Sequence, residues 1–180
     1  MSTPNPYQAP EAPVDTDKRH KPDRENTHLQ GIRGWLILVA IGIVLSPFKI
    51  LALIYTTYIN IFTQGTWLNL TTPGTDAYDP LWAPIIIGEL TINTSLTFVW
   101  IYIAVIFFSK KRVFPKWYIG IMIFTLIFIL LDAIMVKAVL PDEAIFDPDT
   151  VKNLTRTAIA ALIWIPYMLI SKRVKATFIH

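Results

Sequence analysis

The chain has 180 residues, 53% of them hydrophobic and only 16% charged, and its mean hydropathy is +0.47. Soluble domains usually carry about 25% charged residues, so an ordinary soluble globular class is excluded. The net charge of +3 needs no nucleic acid, because the basic segments lack the interleaved stacking aromatics that RNA or single-stranded DNA would require, and the absence of cysteine excludes disulfide bracing and thiol chemistry.

The first 28 residues hold Pro4, Pro6, Pro10, Pro13 and Pro22 and no apolar core. They are expected to form a disordered tail rather than a signal peptide. Four apolar blocks follow. A bilayer core of about 30 Å needs about 20 apolar residues in a helix, and the blocks meet or approach that length. The first is "GWLILVAIGIVLSPFKILALIYTTYINIF", read as a span over about 34–60. The second covers 81–108. The third, "WYIGIMIFTLIFILLDAIMVKAVL", covers 117–140. The fourth, about 155–171, contains "TAIAALIWIPYMLIS" and is expected to start its helix near Thr150, with Asp149 and Thr150 as a cap after Pro148. The fold class that follows is all-α: an integral membrane four-helix bundle over 29–180 with a cytoplasmic N-terminal tail.

Lysine and arginine set the orientation. Lys18, Arg19, Lys21, Arg24 and Arg33 precede the first span. "SKKRVFPK" (109–116) joins the second and third, and Lys172, Arg173 and Lys175 follow the fourth. The 63–80 loop has no base, and 141–156 is mostly acidic. Both termini are therefore expected on the cytoplasmic side of a bacterial inner membrane. Trp35 and Trp117 suit the inner aromatic belt and Trp82 the outer one.

Each span nevertheless carries polar residues. With inner boundaries at Trp35, Phe108, Trp117 and Ser171, the rise of about 1.5 Å per residue puts Lys49 at about 21 Å and Asn93, Asp132 and Arg156 at about 22 Å. The same count puts Glu89 and Lys152 at about 28 Å and Lys137 at about 30 Å. Two polar layers result. Asp132 is expected to pair with Lys49 or Arg156, and Glu89 with Lys137, Lys152 or Arg156, because an uncompensated charge at a helix centre costs about 2.5–3.5 kcal/mol. Glu89 and Asn93 are four apart, so they share a face that must turn inward. Pro47 and Pro166 free the carbonyls of Ile43 and Leu162 and are candidate kinks. Gly42/Ser46 and Thr157/Ala161 are small pairs that permit close helix contact.

"GIRGWLILVAIGIVLSPFKI" (31–50) and "WIPYMLISKRVKATFI" (164–179) resemble the opening and closing signatures of the DUF2569 family. The resemblance implies a small four-span bacterial membrane protein and transfers no catalytic residue. The residues themselves offer no enzyme site. His20, His28 and His180 all lie in the tails, and no metal-binding, serine-elbow or phosphate-loop motif is present. No cofactor or metal is expected. The leading expectation is a structural or accessory membrane component in contact with lipid, and with a larger complex or further copies of itself. The alternative is a small transporter or channel-like protein with an outward-facing charged site.

Overall fold

The computed structural model describes residues 30–142 and 144–179. The expected tail, residues 1–28, lies outside them. Four helices are long and apolar enough to cross a membrane. Helix α1 runs over Trp35–Thr63 and contains a π-helical stretch at Ile54–Ile59. A short α2 (Thr66–Thr71) follows in the first connection. The second and third spans are α3 (Trp82–Phe108) and α4 (Phe114–Val139), the fourth is α5 (Pro148–Ile170), and a last turn-and-a-half, α6 (Lys172–Thr177), closes the chain. The four spans agree with the sequence reading, with shifted ends.

Two of those shifts have local causes. Helix α4 begins at Phe114 rather than Trp117, because Pro115 in its first turn is preset for helix entry. Helix α5 is capped by Asp147, not by Asp149 and Thr150. The Asp147 side chain accepts from the backbone N–H of Asp149 at 2.8 Å and of Thr150 at 3.1 Å, and Pro148 occupies the first helical position, where no N–H is needed. The Thr150 hydroxyl also donates to Asp147, and this bond together with the backbone donors holds the Asp147 carboxyl below the usual aspartate range.

The tight turn between α3 and α4 makes them antiparallel. Lys110 N–H donates to the Phe107 carbonyl at 3.0 Å and Lys111 N–H to that of Ile106 at 2.9 Å, the pairing of a Schellman cap. Lys110 takes the left-handed position (φ 52°) that glycine usually fills. Helix α1 packs most extensively on α3, and α4 on α5, while the α3–α4 contact is thinner. The molecule is thus two helix pairs joined along a seam.

The core concentrates at one end. Leu36, Val39 and Ile43 form the buried stripe of α1 and meet Ile103 and Phe107 of α3 with Phe114 and Tyr118 of α4. The turn into α6 folds the chain end back over this cluster. Phe178 stacks on Phe114 with centroids 4.5 Å apart and lies 5.6 Å from Phe107. Thr177 accepts from Gly31 N–H at 3.2 Å and donates to the Gly31 carbonyl at 3.3 Å. Trp35 and Trp164 meet edge to face at 6.1 Å. Residues 30–34, 109–113 and 171–179 therefore share one end of the bundle. The two signature segments, 31–50 and 164–179, meet here in space.

Candidate functional site

The opposite end holds the polar cluster. Tyr58 on α1 is buried and its hydroxyl donates to Glu89 Oε2 on α3 at 3.0 Å. Asn93, one turn along α3 and also buried, donates through Nδ2 to the Tyr58 oxygen at 3.2 Å and to the Glu89 carbonyl at 3.0 Å. Thr97 continues the line, donating to the Asn93 carbonyl at 3.1 Å. From α4, the Asp132 carboxyl lies against that of Glu89. Its Oδ1 is buried and has no hydrogen-bond partner among the described residues.

The π-helical stretch is what brings Tyr58 into the cluster. At about 100° per residue an undisturbed α-helix would carry Tyr58 roughly 60° off the azimuth of Ile43. The wider turns of Ile54–Ile59 advance less per residue and return Tyr58 to the buried stripe. Such π-insertions recur at functional sites because they re-aim a side chain without ending the helix.

The expected pairings of Asp132 with Lys49 or Arg156, and of Glu89 with Lys152 or Arg156, are not formed among the described residues. Lys49, Lys152 and Arg156 are all exposed and make no hydrogen bond or ion pair among the described residues. Lys137 turns to the end of its own helix, where its ammonium donates to the Pro141 carbonyl. The reason is geometric. Counted from Phe114 instead of Trp117, Asp132 stands about 27 Å along α4, level with Glu89 at about 29 Å from the end of α3, while Lys49 remains at about 21 Å and Arg156 at about 22 Å. The height count joined the wrong residues, and it held no azimuth to show that Lys49 faces outward. The inward turn of the Glu89–Asn93 face is as expected. Tyr58 was missed altogether, since a tyrosine in an apolar block carries no signal of its own.

The two prolines sit inside helices that continue past them: α1 runs on to Thr63 and α5 to Ile170. Of the small pairs, Ala161 is buried within the bundle. Gly42 is exposed, and a Cβ there would meet nothing within 4 Å.

Chemically, two carboxyl groups side by side away from bulk water are stable together only with a proton or cation between them. Tyr58 and Asn93 fix the position of Glu89, so the pair is pre-organised. Among the described residues no group of three or more His, Asp or Glu side chains gathers as a metal site.

The family model described as "Protein of unknown function (DUF2569)" matches residues 29–179. The chain belongs to the DUF2569 family. The match covers the four spans and both signature segments, and with them the whole of the polar cluster. No curated protein and no solved structure matches the chain significantly. The four helices long and apolar enough to cross a membrane make it a multi-pass membrane protein, and the family description brings no activity with it.

Proposed function

We propose that this DUF2569 protein is a non-enzymatic structural or accessory component of the bacterial inner membrane, with both termini cytoplasmic, that docks a partner helix on the outward face of α1. The observation that carries the reading is Lys49. It lies about 21 Å from either end of α1 by the helical rise, it is exposed, and it has no countercharge among the described residues. A cation left there against lipid costs about 2.5–3.5 kcal/mol on insertion scales. Gly42 and Ser46 lie on the same stripe, seven and three residues before Lys49. Gly42 leaves open space, and Ser46 satisfies its hydroxyl on the Gly42 carbonyl at 2.7 Å. The stripe is smooth enough for close helix approach and supplies one charge to fix register. An acidic residue on another membrane protein, or on a second copy, would complete it.

The orientation rests on charge. The end shared by residues 30–34, 109–113 and 171–179 carries Arg33, Lys110, Lys111, Arg112, Lys172, Arg173 and Lys175 and no acid, as the positive-inside rule asks of a cytoplasmic face. To test the docking reading, membranes would be extracted directly into polymer nanodiscs and the mass of the particle measured. The wild-type chain should run with a stoichiometric partner or as an oligomer. Lys49→Arg should keep that assembly and Lys49→Glu should break it. A wild-type chain that runs alone would refute the reading.

A second reading, a small carrier, is favoured by the Glu89–Asp132 pair. It predicts that a pH gradient across proteoliposomes collapses faster with wild-type protein than with Glu89→Gln. Equal rates in the two would remove it.

A further inference from the structure

The seam between α3 and α4 opens into a groove of about 480 Å³, within the roughly 300–1,000 Å³ range of sites that hold small molecules. Its walls are apolar: Ile92, Leu96 and Val99 from α3 face Ile121 and Phe124 from α4. Gly120 forms part of the floor, and a Cβ there would meet nothing within 4 Å, so the floor is open. Lys116 and Trp117 stand at one end of the groove, the end that carries the 109–113 turn. Lys116 is exposed and makes no hydrogen bond or ion pair among the described residues. Trp117 is held edge to face by Tyr102 at 5.3 Å, the placement of an interfacial aromatic.

We infer that this groove is a specific site for one anionic phospholipid, with an acyl chain along the α3–α4 seam and the phosphate on Lys116. Charge complementarity selects this occupant. Lys110, Lys111 and Arg112 precede Lys116 by four to six residues, in the turn at that end, and no Asp or Glu lies in residues 30–34, 109–116 or 171–179 to neutralise them. Basic pockets between spans at a cytoplasmic face take acidic headgroups for this reason. The apolar trough needs a chain rather than a free anion, and the lone basic mouth needs a charged head rather than a zwitterion. The site is separate from the docking stripe on α1 and does not depend on it.

The test uses the full chain in nanodiscs of nine parts phosphatidylcholine to one part phosphatidylglycerol, released gently into a native mass spectrometer. The wild type should retain one phosphatidylglycerol well above its share of the bilayer. A lysine beside a headgroup is worth about 1 kcal/mol, about fivefold in preference, so Lys116→Gln should cut the phosphatidylglycerol preference about fivefold and leave the chain folded. Gly120→Leu fills open space with a good helix former, so it should keep the helical circular dichroism and lose the retained lipid of either kind. Three outcomes would overturn the site. One is retention in simple proportion to the bilayer composition. Another is retention unchanged by both substitutions. The third is a chain dimer that Gly120→Leu disrupts, which would give the groove to a second copy.

Discussion

Replacing Tyr58 with phenylalanine isolates the hydrogen bonds of the polar cluster, because the ring keeps its buried place in α1 and only the hydroxyl goes. That hydroxyl donates to Glu89 at 3.0 Å and accepts from Asn93 at 3.2 Å. Hydrogen bonds between membrane helices average about 0.6 kcal/mol and reach about 1.7, so two of them put the direct loss at about 1 kcal/mol or somewhat more. The Glu89 oxygen is then left without its donor, and an unsatisfied buried group costs about 1–3 kcal/mol. Tyr58→Phe should therefore destabilise the bundle by about 1–3 kcal/mol. Reversible unfolding in mixed micelles with increasing dodecyl sulfate, followed by helical circular dichroism, measures it. A double-mutant cycle with Glu89→Leu should give a coupling of at least about 0.6 kcal/mol, the average for one such bond. A loss under about 0.3 kcal/mol with additive effects would refute the network, since the coupling would then lie within the scatter expected of independent sites.

Asp132→Asn should leave the unfolding midpoint in detergent unchanged or raise it, because the amide relieves a carboxyl–carboxyl contact and brings a donor for Glu89; an Asp132 paired with a base would instead lose about 3–5 kcal/mol. Single cysteines at Ala77, Ser109 and Ile179 test the orientation: an impermeant maleimide on intact cells should label only Ala77, and labelling of Ser109 without lysis would invert the topology. Asp147 is held below its usual range by the groups it caps, so its contribution is present above the unfolded aspartate value and fades as the pH drops through the lower folded one. Amide exchange at Asp149, Thr150 and Val151 should accordingly quicken under acid, and Asp147→Ala should show the quickened exchange already at neutral pH.

The lengths of the spans were legible because a membrane imposes one number, the thickness of its apolar core, on every crossing helix. The caps were legible in part: "FPK" and "DPD" each place proline at a helix start, and reading them strictly would have moved α4 to Phe114 and α5 to Pro148. That correction alone would have brought Asp132 level with Glu89. What the sequence withheld is rotation. The first three long helices, α1, α3 and α4, are apolar around most of their girth, so no polar face reveals which side is inward. Lys49 could be given a height but not a direction. The π-helical stretch was hidden for a related reason, since "IYTTYI" has no glycine or proline to mark it. The return of "SKRVKATF" onto the bundle was hidden as well. Three basic residues in eight look like a solvated tail, yet Val174, Thr177 and Phe178, spaced three and four apart, put one apolar stripe against Phe107 and Phe114.

The two ends of the bundle are held by different forces, and the difference falls along the α3–α4 seam. At the 109–113 end, aromatic stacking and the Thr177–Gly31 clasp bind the termini to the turn between α3 and α4. Further along the seam comes the groove. Beyond it, α3 and α4 face each other through the Glu89 and Asp132 carboxyls, a contact whose strength depends on the proton or cation between them. Local opening draws on the places with least buried apolar contact, and here those places lie in a row. The Tyr58–Glu89 bond lies within the α1–α3 pair, so it does not depend on the carboxyl contact across the seam.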